Sequence, residues 1–178
     1  VFASLVLTGG ALGDRYGAKR LYQYGLALFT VMSLACALSP SVDALIVMRM
    51  LQGLGAALML PAPLALLSHA FPDPLARARA VSFWASIVSL GFAAGPALGG
   101  LFIHFFGWRS IFLLNVPIGI LAVVLGWFII PRPPGHPDLK NDFVGIGLFA
   151  ASMVALVYPL IEGRSYGWPA WAWGLMAL

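Results

Sequence analysis

Long apolar runs separated by short polar breaks make up most of the sequence. Five of these runs are long enough to cross the hydrocarbon core of a bilayer as helices, which takes about 20 residues. They cover residues 21–38, 44–67, 81–106, 111–130 and 143–161, and shorter runs lie at 1–10 and 168–178. Because none of them alternates apolar and polar positions as barrel strands do, the pattern predicts seven helical membrane segments.

The polar breaks are short and hold most of the charged and turn-forming residues. They cover residues 9–20, 39–43, 68–80, 107–110, 131–142 and 162–168. Connections this short predict that neighbouring helices run antiparallel.

Basic residues are distributed unevenly between the two sides of the predicted bundle. One side carries seven of them: Arg15, Lys19, Arg20, Arg77, Arg79, Arg132 and Lys140. The other side carries only Arg109 and Arg164. Lys and Arg concentrate in cytoplasmic loops, so the first side is predicted to face the cytoplasm. Arg49 belongs to neither side, because it lies inside an apolar run.

Three regions are expected from these breaks. Residues 1–130 form an N-terminal transmembrane bundle, residues 131–142 a cytoplasmic linker with four prolines, and residues 143–178 extra transmembrane helices. Each terminal run is about half the length of a span. We therefore expect the chain to be a fragment of a longer protein, cut within a span at both ends.

The composition indicates a surface that faces lipid. Hydrophobic residues make up 61% of the chain and charged residues 9%, with a mean hydropathy of +0.95. A soluble domain is about 25% charged, and ten basic and six acidic side chains cannot cover a wetted surface of this size. The predicted fold class is an all-α, polytopic transmembrane helical bundle in the cell membrane.

Metal, disulfide and nucleic-acid chemistry are not indicated. Cys36 is the single cysteine, and His69, His104 and His136 lie far apart in the sequence. The net charge of +4 follows from the orientation signal, and the sequence contains no basic recognition helix. We expect no metal, no cofactor and no nucleic-acid partner.

The first polar break carries a frame of glycines and charges. Its positions are Gly10, Leu12, Asp14, Arg15, Gly17, Lys19 and Arg20. Glycine permits a sharp reversal and close helix approach, and the Asp14 carboxylate can accept from an arginine or a helix N-terminus. A contact between Asp14 and such a partner can stabilise one conformation of the protein and break in another. The alternative is a charged tight loop that only sets the orientation.

Arg49 stands about 9 Å inside the second full apolar run, counted from Asp43 at its start at 1.5 Å per residue. Gln52 and Gly53 follow it at about one turn. A charge at that depth costs roughly 3 kcal/mol or more and usually faces a cavity or a partner. The alternative is that the arginine extends to the outer interface.

A third pattern combines regularly spaced glycines with a proline. Its residues are Gly91, Gly95, Pro96, Gly99 and Gly100. The glycines at every fourth position form a smooth face for close packing, and Pro96 removes a backbone hydrogen bond and kinks the helix. A simple helix-dimer face is the alternative.

A fourth pattern begins the next apolar run. It contains Trp108, Arg109, Phe112, Asn115, Pro117 and Gly119. Trp108 is predicted to anchor at the membrane interface, and Asn115 with Pro117 is predicted to mark a locally opened helix.

These four patterns, in this order and spacing, resemble the major facilitator superfamily of transporters. The first resembles the loop between its second and third helices, and the second resembles its fourth helix. The third resembles the fifth-helix pattern of its proton-exchanging exporters, and the fourth resembles the start of the sixth helix in its multidrug exporters. Residues 143–178 resemble the two extra helices of its fourteen-helix drug:proton antiporters.

The resemblance implies a secondary transporter and not an enzyme. Two six-helix bundles would rock about a central cavity and export drugs or other hydrophobic or amphipathic compounds in exchange for protons. The glycine and charge frame of the first break would act as a conformational lock, and Arg49, Gln52 and Gly53 would serve proton coupling and the cavity. The expected partners are the lipid bilayer, a small-molecule substrate, protons and the C-terminal half of the same chain.

No acidic residue lies in the middle of a predicted span. We therefore expect the titrating carboxylate in the first helix or in the C-terminal half, with the proton gradient as the energy source. A carrier of a polar nutrient, a seven-helix sensor and a non-transporting scaffold remain alternatives. Asp14-Arg15-Tyr16 also resembles a tripeptide of seven-helix receptors, but the glycine frame argues against that class.

Overall fold

A computed structural model describes residues 2–131, 143–162, 167 and 173–174. Seven α-helices joined by short connections make up most of the described residues. They are α1 (Phe2–Tyr16), α2 (Ala18–Ala37), α3 (Val42–Met59), α4 (Ala62–Ala70), α5 (Pro74–Phe106), α6 (Arg109–Ile129) and α7 (Phe143–Glu162). The prediction of an all-α bundle is confirmed. Residues 132–142 of the linker predicted at 131–142, and most of the last predicted segment, lie outside the described residues.

Local sequence signals set the helix ends. The Ser41 hydroxyl accepts from the Ala44 amide at 3.2 Å and caps α3, and the Asp73 carboxylate accepts from the Ala76 amide at 2.8 Å and caps α5. Gly107 ends α5 with a φ of 78°, a backbone conformation that residues other than glycine rarely adopt. These caps satisfy amides that the first turn leaves without helical partners.

Two predicted breaks are much shorter than the polar residues suggested. α1 continues through Asp14 and Arg15 to Tyr16, and only Gly17, with a φ of 97°, separates it from α2. The break predicted at 68–80 shrinks to residues 71–73, between α4 and α5. Charged side chains are compatible with a helix, so the polar stretches indicate where the chain leaves the hydrocarbon and not where the helix ends.

The apolar run predicted at 44–67 is interrupted, which is a further correction. α3 ends at Met59 and α4 begins at Ala62. Pro61 and Pro63 explain the break, because proline has no amide to donate and its ring clashes with the preceding turn. The break could have been predicted from the sequence, because two prolines lie so close together within one apolar run.

α2 lies at the centre of the described bundle, between α3 and α6. It approaches α3 closely through Gly25 and Gly55. A Cβ atom built on Gly55 would lie 2.7 Å from the Phe29 amide nitrogen and 2.8 Å from the Gly25 carbonyl oxygen. Glycine at both positions therefore permits a backbone contact that any larger residue would prevent.

Polar side chains of α2 are buried in this position. Gln23, Thr30 and Ser33 are all buried between α2 and its neighbours.

By length and composition, three helical stretches of the described chain are apolar enough to cross a membrane: Val42–Ala70, Pro74–Phe106 and Arg109–Ile129. α2 is outside that set because Lys19, Arg20 and Gln23 make its first turns polar.

The orientation of the bundle remains a prediction, and the connecting segments allow a direct test. Pro40 and Pro72 are both exposed and lie between helices at opposite ends of the bundle. With Cys36 replaced by alanine, a single cysteine at Pro40 should react with an impermeant thiol reagent added to whole cells, whereas one at Pro72 should react only after the membrane is opened. The reverse labelling would overturn the count of basic residues.

Candidate functional site

Arg49 and Gln52 form a polar pair inside the membrane-spanning part of α3. The Arg49 Nη1 donates to the Gln52 Oε1 at 2.8 Å. The guanidinium carbon lies 5.6 Å from the centre of the Phe112 ring of α6, within range of a cation–π interaction. Phe112 is in the first turn of α6, so the guanidinium lies near the end of the bundle at which α3 and α6 both begin.

Gln52 is almost fully enclosed, with 1% of its surface exposed. Its Oε1 accepts from Arg49 and lies 3.8 Å from the Cys36 sulfur of α2. Its Nε2 is buried and has no hydrogen-bond partner among the described residues. A buried amide donor without a partner is energetically costly.

A cavity of about 660 Å³ opens beside this pair. Its lining is largely apolar, with the Arg49 guanidinium and Gln52 as its polar groups, and consists of Phe29, Leu45, Ile46, Arg49, Met50, Gln52, Gly53 and Ala56. Three residues of the second sequence pattern therefore share one cavity wall. Apolar walls with a few convergent polar groups are typical of small-molecule sites.

The glycine and charge frame lies where α1 meets α4. Gly10, Asp14 and Ala18 line a cavity of about 60 Å³ together with Pro61 and Ala62, the start of α4. Asp14 is exposed and forms no ion pair with a described residue. The Arg15 guanidinium lies 5.3 Å from the Tyr16 ring centre, and Arg20 is exposed. Asp14 thus lies next to a helix N-terminus, one of the two partners considered for it.

Lys19 has a role that the sequence did not reveal. Only 6% of its surface is exposed, and its amine donates to the Trp127 carbonyl at 2.8 Å and to the Ile130 carbonyl. Both carbonyls belong to the C-terminal end of α6, where helical carbonyls lack partners. The charge also faces the negative end of the helix dipole.

Arg109 makes the matching contact at the opposite end. Its Nε donates to the Ala37 carbonyl at 3.0 Å and its Nη2 to the Ser39 carbonyl at 3.1 Å, at the C-terminal end of α2. Its guanidinium carbon lies 4.5 Å from the Trp108 ring centre. α2 and α6 therefore cap each other reciprocally, each with a cation from its first turn.

The predicted opening of α6 at Asn115 and Pro117 is wrong. α6 continues as one helix through Pro117. The Asn115 Nδ2 donates to the Ser33 hydroxyl at 3.3 Å, and that hydroxyl donates to the Phe112 carbonyl at 3.1 Å. Through these bonds Asn115 joins α6 to α2.

The glycine and proline pattern occupies the least covered helix. α5 is continuous through Pro96 and has no buried residue. A Cβ atom built on Gly91, Gly95, Gly99 or Gly100 would meet no described atom within 4 Å. The structure therefore brings the Arg49 pair next to the start of α6 and leaves the α5 glycines on an open face.

Comparison with known proteins places these features in a family. The sequence model described as "Major Facilitator Superfamily" matches residues 1–178. The chain belongs to the major facilitator superfamily. It is therefore a multi-pass cell-membrane protein of a carrier family and not an enzyme.

Named members of the superfamily share much of this sequence. Methylenomycin A resistance protein of Bacillus subtilis (strain 168) is 46% identical over 94% of this chain and 36% of its own length. Multidrug resistance protein Stp of Mycobacterium tuberculosis (strain CDC 1551 / Oshkosh) is 42% identical over 93% of this chain and 31% of its own length. Drug efflux pump JefA of the same strain is 40% identical over 92% of this chain and 32% of its own length. The chain thus spans about a third of the length of these curated relatives.

Proposed function

We propose that the full-length protein is a proton-coupled exporter of hydrophobic or amphipathic compounds. The observation that carries this proposal is the cavity beside Arg49, in which a fixed cation inside a membrane span faces largely apolar walls. A charge in that position is expensive unless it has a function or a partner. The relatives named as a drug efflux pump and as resistance proteins support export as the direction of transport.

The residues that line the cavity favour hydrophobic or amphipathic substrates over polar ones. Phe29 and Met50 offer aromatic and polarisable surfaces that adapt to differently shaped apolar compounds. A sugar site would need many hydrogen-bonding side chains, whereas the polar groups on the described walls are those of Arg49 and Gln52. A polar nutrient is therefore the less favoured cargo.

Proton coupling requires a group that can titrate, and arginine stays protonated in proteins. We assign that role to a carboxylate in the rest of the full-length protein, near enough for Arg49 to favour its ionised form. The open glycine face of α5 would receive the same remaining part of the protein, because small residues allow helices to approach closely. In this proposal the proton gradient is the energy source and no cofactor is involved.

Transport by the full-length protein in inverted membrane vesicles tests the proposal. An acidic lumen should drive accumulation of ethidium, a hydrophobic cation, and nigericin, which dissipates the pH difference, should abolish it. Glucose supplied in the same way should not accumulate. Ethidium accumulation that survives nigericin would contradict proton coupling, and accumulation of glucose in place of ethidium would contradict the substrate class.

A further inference from the structure

A second and larger cavity lies at the end of the bundle opposite the outer end of α3. It has a volume of about 810 Å³ and is formed by the end of α4, the start of α5 and the end of α6, with Tyr22 of α2. We call it the α4–α5–α6 cleft. Leu66, Phe83 and Ile130 are among its mainly apolar lining residues. It is separate from the Arg49 cavity, with which it shares no lining residue.

The cleft carries a positive charge that nothing in the described chain neutralises. Arg79 lines it, is exposed, and has no hydrogen bond or ion pair with a described residue. Arg77 lies two residues away, and its guanidinium donates to the Phe71 and Pro72 carbonyls at 3.1 Å each. None of the described lining residues is acidic. The nearby Asp73 carboxylate is engaged with the Ala76 amide.

The position of Arg79 along α5 matches the depth of lipid phosphates. α5 has 33 residues and is about 50 Å long at 1.5 Å per residue, whereas the hydrocarbon core is about 30 Å thick. Arg79 lies two residues, or about 3 Å, before the apolar run that starts at Val81. Trp84 lines the cleft five residues after Arg79, and tryptophan concentrates at the membrane interface.

We propose that the α4–α5–α6 cleft binds an anionic phospholipid of the leaflet on the Arg79 side. The phosphate accepts from the Arg79 guanidinium, a pairing that can be bidentate, and an acyl chain follows the apolar wall formed by Leu66, Phe83 and Ile130. Basic pockets between membrane helices are suited to anionic headgroups. The net positive charge from Arg77 and Arg79 favours phosphatidylglycerol over phosphatidylethanolamine, whose amine offsets its phosphate.

Native mass spectrometry of the full-length protein in detergent tests this site. Phosphatidylglycerol and phosphatidylethanolamine with identical acyl chains are titrated separately against the wild type and the Arg79→Gln variant. We expect the wild type to prefer phosphatidylglycerol by about fivefold or more and Arg79→Gln to lose most of that preference. Arg20→Gln removes an exposed basic residue of α2 that does not line the cleft, and it should keep the preference.

A matched pair of alanines on α5 tests the acyl-chain part. Ala80 lines the cleft, whereas Ala78 is exposed and does not. Ala80→Trp should reduce retention of phosphatidylglycerol several-fold, and Ala78→Trp should leave it unchanged. Equal retention by these two variants, or an unchanged lipid preference in Arg79→Gln, would overturn the proposal.

Photocrosslinking in intact membranes distinguishes lipid from other occupants and does not depend on purification. p-Benzoylphenylalanine at Phe83, a lining residue, should capture phospholipid. Capture of another segment of the same chain, or of a second copy, would show that protein fills the cleft and would overturn the proposal. None of these outcomes depends on drug export, so the lipid site and the transport function can fail separately.

Discussion

Replacing Arg49 by alanine in the full-length protein is expected to abolish proton-driven export without preventing membrane insertion. The guanidinium holds the Gln52 Oε1 at 2.8 Å and faces the cavity. Without it, the proposed carboxylate would bind its proton more tightly. The pH below which a cationic substrate no longer binds should then rise by about one unit. The measurement is ethidium binding against pH in the purified protein, together with vesicle efflux.

Two further substitutions sharpen this test. Arg49→Lys should restore export only in part, because a point charge cannot reproduce both the guanidinium bond to Gln52 and the cation–π contact with Phe112. Met48→Ala is the matched control, since Met48 lies one residue away on α3 but does not line the cavity. If Arg49 only extended to the outer interface, Arg49→Lys would not change efflux or ethidium binding, and Arg49→Ala would change them very little. Normal efflux with an unshifted binding curve in Arg49→Ala would remove Arg49 from the mechanism.

Leucine at Gly55 is expected to prevent assembly of the bundle, whereas leucine at Gly95 should leave it intact. A Cβ atom at Gly55 would lie 2.7 Å from the Phe29 nitrogen and 2.8 Å from the Gly25 oxygen, and these backbone atoms cannot move aside. Overpacking of this kind costs about 1–3 kcal/mol and occasionally more. Gly55→Leu should therefore lower the amount of protein in the membrane and its melting temperature in detergent.

Gly95→Leu is the comparison variant, because Gly95 belongs to the glycine and proline pattern of α5 and not to the α2–α3 contact. No described atom lies within 4 Å of a Cβ built there, so leucine should not disturb packing among the described helices. If the rest of the protein contacts this face in only one conformation of the transport cycle, abundance and melting temperature should stay near the wild-type values. If the α5 face receives the rest of the protein during transport, efflux should fall all the same. A Gly95→Leu variant with normal efflux would assign the pattern no part in transport. A stable, abundant Gly55→Leu protein would contradict the close α2–α3 crossing.

The sequence predicted the helices well because span length and hydrophobicity are local properties. It misplaced the end of α1, since Asp14 and Arg15 indicate the membrane boundary but are compatible with a helix. It also missed the break at Pro61, although the prolines were visible. Arg49 stood out as a candidate because a charge inside an apolar run is costly wherever the chain folds.

The partners of the candidate residues could not be predicted from the sequence. Lys19 reads as one of several basic loop residues, and only the packing of α2 against α6 brings its amine to the Trp127 carbonyl. Asn115 reads as a helix-opening residue until Ser33 of α2 is found opposite to it. Hydrogen bonds between helices depend on the crossing geometry, which local sequence patterns do not encode.

The reciprocal capping of α2 and α6 has a consequence for biogenesis. The partner of Lys19 lies 108 residues further along the chain, and the partner of the Ala37 carbonyl lies 72 residues further. At a synthesis rate of about 5–20 residues per second, α2 leaves the ribosome several seconds before α6 exists. During that interval its buried Gln23, Thr30 and Ser33 lack their final surroundings. The central helix of the bundle thus gains its contacts with α6 only after a much later part of the chain has been made.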